Sequence, residues 1–181
     1  MRHHVAMRRA PATVLCLALL GALAVPAATE AEPTASQTVF TQKLIADGAT
    51  SASVKQLLQS KAGIVDQRSG FVDVTGDGRQ DALVLVSTQG AAGTVALYVF
   101  STHGQKAGGT DDQTSLKVVF RLQSLYRATL RISGTSLSIL EPTYAKGDDL
   151  CCPKQLRERD YRFDASKLTF VRTADHATPF R

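Results

Sequence analysis

Two short stretches carry residue types that could do chemistry. The first is DVTGDGRQD, Asp73 to Asp81. Asp73, Thr75, Asp77 and Asp81 fall at positions 1, 3, 5 and 9 of a calcium loop. The carbonyl of Arg79 stands at position 7, and Gly78 at position 6, where the chain must turn sharply without a Cβ. Three carboxylates this close repel one another unless a hard cation or water separates them. The twelfth position is Val84 instead of the bidentate glutamate of an EF-hand, and the pattern that follows is a strand, which excludes an EF-hand proper. The competing reading is a tight hairpin at Gly76-Asp77-Gly78 with the aspartates as turn residues. A calcium ion held here would bind in the weak extracellular range, with a Kd of about 10⁻⁴ to 10⁻³ M.

The second stretch is GDDLCCPKQL, Gly147 to Leu156, where Cys151 and Cys152 are adjacent. Four readings stand: a vicinal disulfide, two buried reduced thiols, an intermolecular bridge, or a functional redox or soft-metal site. Neighbouring Cα atoms about 3.8 Å apart make a strained ring that closes too small a loop to act as a staple. Such a ring would stiffen a loop tip, helped by Pro153, which fixes its own φ and restricts Cys152. Redox catalysis normally uses C-x-x-C, and a metal site would have only His103 and His176, far off in sequence, to draw on. Asp148 and Asp149 could extend an acidic patch, and Asp111 and Asp112 lie in a Gly-rich polar segment that reads as a hairpin loop. Arg121, Arg127, Arg131, Arg159 and Arg162 would form an anion-binding stripe if they shared one sheet face. No G-x-S-x-G, H-E-x-x-H, P-loop or Rossmann fingerprint occurs in the chain.

The redox state of Cys151 and Cys152 depends on compartment, to which the N-terminus points. Arg2, Arg8 and Arg9 precede an unbroken apolar run, Ala12 to Val25, followed by small and polar residues. That is the layout of a secretory signal peptide over residues 1–31. Its core of about 14 residues falls short of the roughly 20 that span a bilayer. Cys16 lies inside this apolar run. The expected mature chain is secreted or periplasmic, with no transmembrane segment after cleavage, and its thiols face an oxidising compartment. Removing Arg2, Arg8, Arg9 and Glu30 takes the 21 basic and 16 acidic residues to 18 and 15, so the net charge falls from +5 to +3. Nucleic acid is therefore not an expected partner.

The elements that must position these residues follow from periodicity. Glu32 to Gln37 reads as a disordered leader, and residues 38–181 as one β-rich domain. Phe40, Leu44 and Ile45, then Val54, Leu57 and Leu58, have helical spacing, with Ser51 or Ser53 as a cap and Gly63 as a stop. Beyond Gly63 the period becomes two. Strands are expected over 81–87, 94–101, 116–123, 126–133, 136–142, 159–164 and 167–172. In the fourth of these, Tyr126, Ala128, Leu130 and Ile132 would face the core. The fold class expected is α+β: a mainly antiparallel meander with one or two short N-terminal helices.

The aspartate loop resembles the D-x-x-G-D-G-x-x-D loop of FG-GAP or VCBS repeats, and the ALVLV that follows matches their next strand. The resemblance implies Asp73, Thr75, Asp77, Asp81 and the backbone of Arg79 as calcium ligands. The family has Asp or Asn where this chain has Thr75, a weaker ligand. A propeller needs several copies and one is present, so neither the propeller fold nor its adhesion function carries over. From Phe71 to about Phe170 the chain is also similar to a group of small exported bacterial proteins of uncharacterised function. The shared pattern is a single aspartate loop, ALVLVSTQG, SLYRA, GDDLCCP and YRFDASKL. The expected function is a non-catalytic binding or envelope-associated domain for a protein or glycan ligand, stabilised by calcium; the alternative is an envelope redox protein or enzyme using Cys151 and Cys152.

Overall fold

A computed structural model describes residues 34–66, 68–103 and 116–180. The expected signal segment 1–31, Cys16 within it, and the loop holding Asp111 and Asp112 lie outside them. The expected class holds: two helices precede a mainly antiparallel β structure. Helix α1 spans Ala35–Ala46 and α2 spans Ala52–Gln59. Thr34 and Gln37 form a reciprocal capping box on α1, so the helix starts inside the stretch 32–37 expected as a disordered leader. Ser51 caps α2 through the Val54 amide.

Gly63 does not stop α2, which ends at Gln59 and is followed by Lys61 with φ of +59°. Gly63 instead opens a strand beside the helix, where a Cβ would come within 3.1 Å of the Leu57 Cβ. That strand, β1 (Gly63–Val65), and β2 (Gly70–Val72) were not expected from periodicity, since three residues are too few to show it. Both pair antiparallel with β3 (Asp81–Thr88), end to end along it. β3 pairs with β4 (Thr94–Ser101), and β4 with β5 (Lys117–Gln123), completing the first sheet.

The chain then leaves that sheet. Ser124 and Arg127 take φ values of +67° and +49°, which ends the strand and turns Leu125 and Ala128 into the core. This break splits the expected single meander into two sheets. The second runs in sequence order through β6 (Thr129–Ser133), β7 (Ser136–Thr143), β8 (Gln155–Asp164) and β9 (Thr169–Pro179). The strand expected over 126–133 is thus cut to its second half, and Ile132, expected in the core, is 44% exposed. Both β8 and β9 are longer than their apolar patterns suggest.

Two apolar clusters hold three layers together. Leu83, Leu85, Leu97 and Val99 meet Leu137 and Ile139 between the sheets. Val84, Val86 and Tyr98, on the other face of the first sheet, meet Phe40, Leu44 and Leu58 of the helices. β3 and β4 are therefore buried on both faces, which is why their sequences are continuous apolar runs. Gln123 at the end of β5 fastens the helical layer: its Oε1 accepts from the Ser51 amide at 2.6 Å and the Tyr98 hydroxyl at 2.9 Å.

Asp66 ties the two edge segments to the first sheet. Its amide donates to Leu85, and its carboxylate accepts from Arg68 at 2.6 Å and from the Ser87 hydroxyl at 2.7 Å. The Arg68 hydrogen bond, opposed by burial and helped by Ser87, holds the Asp66 carboxyl down at about 2. A carboxyl whose folded pKa lies below its unfolded value of about 3.9 contributes stability that is complete above that pH and lost as the pH falls through the folded pKa. Asp66→Asn should therefore flatten the acid limb between about pH 4 and pH 2, read as the thermal midpoint across an acid series. A slope equal to the parent's would show that Asp66 adds nothing there.

Candidate functional site

The aspartate loop links β2 to β3 and carries two left-handed glycines, Gly76 at φ +76° and Gly78 at φ +80°. A Cβ on Gly76 would meet Thr135 Cγ2 at 2.9 Å, so the loop tip rests on the turn between β6 and β7. The loop thus bridges the two sheets. His103, just past β4, adds to this seam: its ring meets Phe163 of β8 edge-on at 5.0 Å, and Nδ1 stands 3.4 Å from Asp77 Oδ2 without a formed hydrogen bond. Nothing in the sequence couples His103 to a loop so far upstream.

Each aspartate has a separate task. Asp73 accepts from the Gly76 amide at 2.7 Å and the Gly78 amide at 2.9 Å. Asp77 accepts from the Arg79 amide at 2.9 Å and its guanidinium at 3.0 Å. Burial alone would raise the Asp77 carboxyl, but the Arg79 amide and guanidinium outweigh it and leave the pKa lowered. Arg79 Nη2 also reaches the Thr102 carbonyl at 3.1 Å. Asp81 is 1% exposed, and its Oδ2 accepts from the amides of Val74 and Thr75, both at 2.9 Å.

Those bonds account for the turn and leave two oxygens over. Asp81 Oδ1 and Thr75 Oγ1, at loop positions 9 and 3, are buried without a hydrogen-bond partner. A buried oxygen left unpaired is costly, and an all-oxygen set suits a hard cation such as calcium. The donor types therefore fit calcium. Among the described residues, however, no three His, Cys, Asp or Glu side chains are gathered as a ready metal site. Asp73 and Asp77 would have to exchange amide or guanidinium partners for an ion.

Cys151 and Cys152 lie in the loop between β7 and β8, their sulfurs at disulfide distance and their Cα atoms 3.8 Å apart, with no cis peptide bond in the described chain. Both are exposed, while Pro153 is buried beneath them. Asp148 does not join an acidic patch. It folds the loop on itself, accepting from the Ala145 amide at 2.8 Å and pairing with Lys154 at 2.9 Å, and the Ala145 bond, then Lys154, lower its pKa.

The five arginines do not form one stripe. Arg121 is on the first sheet and pairs with Asp47, and Arg159 pairs with Glu141. Arg127 and Arg131 instead line an open cleft of about 510 Å³ on the second sheet. Leu140, Pro142 and Leu156 contribute apolar surface, and Tyr144, Cys151 and Phe180 belong to its wall. This cleft was not legible in the sequence, because its lining is drawn from four strands and from the segments before β6, between β7 and β8 and after β9. Compared with protein-family models, with curated proteins and with solved structures, the chain matches none.

Proposed function

We propose that the chain is an exported, non-catalytic binding domain. Its ligand enters the cleft on the second sheet, and the Asp73–Asp81 loop takes calcium as a structural ion. The cleft carries this reading: about 510 Å³ of space, lined by apolar side chains together with Arg127 and Arg131, has the size of a small-molecule site. The signal-like segment 1–31 supports export. Calcium is favoured by the two orphaned oxygens, and Asp73, Thr75, Asp77, Asp81 and the Arg79 carbonyl are the residues that would hold it. When bound, the ion would neutralise the carboxylates and stiffen the seam where Gly76 meets Thr135.

The rival is a redox protein, favoured by the exposure of Cys151 and Cys152, the first of which lies in the wall of the same cleft. Thiol chemistry separates the two. Under the binding reading the native protein gives no maleimide-reactive thiol, and the double variant Cys151→Ser/Cys152→Ser keeps its fold. A reversible couple that titrates against glutathione and exposes a low-pKa thiolate on reduction would contradict it.

A further inference from the structure

We infer that the cleft on the second sheet takes a carboxylate attached to an apolar body, anchored head-first on Arg127 and Arg131. The inference deepens the binding reading above and does not depend on calcium.

Arg127 is the better prepared anchor. Its Nη1 donates to the Tyr144 hydroxyl at 2.9 Å and to the Leu150 carbonyl. A guanidinium has five N–H donors in a fixed fork; those two bonds fix the group, and among the described residues Nε and Nη2 make no hydrogen bond, so they can meet a carboxylate side-on. Its backbone is held as well: the Arg127 amide donates to Ala92 at 2.8 Å, and φ is +49°, a region that costs a non-glycine residue roughly 1 kcal/mol or more. A guanidinium immobilised in advance loses less entropy on binding.

Arg131 supplies the second charge. It is exposed, and among the described residues it has no ion pair. No carboxylate lines the cleft among the described residues. Of the acids on the neighbouring strands, Asp160 accepts from the Ser138 hydroxyl and Glu158 lies 3.6 Å from His176, and neither belongs to the lining. Two cations facing a cleft without a counter-charge select an anion.

The rest of the lining selects what the anion is attached to. Leu140, Pro142 and Leu156 give an apolar floor, the Cys151 sulfur a polarisable edge, and Phe180, 53% exposed, an aromatic rim that a ligand would cover. A simple inorganic anion would leave this surface wet, and a neutral sugar would leave both guanidiniums unpaired. The carboxylate could belong to a free organic acid or to a peptide C-terminus with an apolar last residue.

The test is calorimetric titration of the mature protein, in EDTA and again in calcium, with 1-naphthylacetate and with the peptide N-acetyl-Gly-Gly-Phe, each beside its uncharged amide. The acid is expected to bind at least about tenfold more tightly than its amide, since a charge-assisted hydrogen bond is worth about a decade or more in affinity. Arg131→Gln, an exposed position that leaves the fold alone, should reduce that preference severalfold, and Arg162→Gln, exposed elsewhere on the sheet, should not. The acid that binds more tightly identifies the source of the carboxylate. Equal binding of acid and amide, no binding of either acid, or an Arg131→Gln protein that retains the preference in full would overturn the inference. None of these results would make Cys151 and Cys152 redox-active, so failure here is distinct from failure of the binding reading.

Discussion

Asp81→Ala is expected to destabilise the protein by about 2–5 kcal/mol, measured by urea denaturation in EDTA. The carboxylate is almost fully buried, and one oxygen satisfies the amides of both Val74 and Thr75. Alanine removes that acceptor and strands two amides, at about 1–3 kcal/mol each if water cannot reach them. Asp81→Asn keeps an acceptor oxygen for the two amides and should cost less than half as much. Asp73→Ala also loses two amide bonds, but these are exposed, so water replaces them and the loss should be near 1 kcal/mol. Equal losses for Asp73→Ala and Asp81→Ala would show that Asp81 does not act as the buried clasp of the loop.

Leu137→Ala should cost a comparable 2–5 kcal/mol or so, the range for a buried leucine whose site cannot collapse. Leu137 is fully buried on β7, within the cluster formed with Leu83, Leu85, Leu97 and Val99 of the facing sheet. The contrasting substitution is Ile132→Ala on the neighbouring β6. Periodicity places Ile132 in the core, but at 44% exposure its truncation should change stability by no more than about 0.5 kcal/mol. Similar losses for the two would mean that the second sheet does not pack as described. Their chevron or equilibrium m-values should match the parent's, because neither substitution alters the surface exposed on unfolding.

Local pattern made much of the fold legible. The runs 81–87 and 94–101 became β3 and β4 because a strand buried on both faces must be apolar throughout, and Ser51 capped α2 as its hydroxyl allows. Failures occurred where tertiary contacts override local signals. Tyr126 to Ser133 alternates well, yet the left-handed Arg127 breaks it, and no local pattern announces a positive φ at arginine. At Gly63 the glycine serves helix–strand contact with Leu57 instead of a helix stop. The aspartate spacing located the loop, but which oxygens remain unpaired depends on backbone amides that only the folded turn presents. The arginine cleft was invisible for a related reason: Arg127 and Arg131 are neighbours in sequence, but what they face comes from Leu140, Leu156 and Phe180.

Calcium binding by the Asp73–Asp81 loop is tested most directly by the thermal midpoint of the mature protein in EDTA and then across a calcium series to about 10 mM, with magnesium as control. At a calcium concentration 100 times Kd, a site present only in the folded state adds about 2.7 kcal/mol. A calcium-binding loop should give a saturable, calcium-selective rise that disappears in Asp77→Ala and in Asp81→Asn. A midpoint that stays flat across the series, or rises equally with magnesium and in Asp77→Ala, would contradict it and leave Asp73 to Asp81 as a turn closed by its own amides.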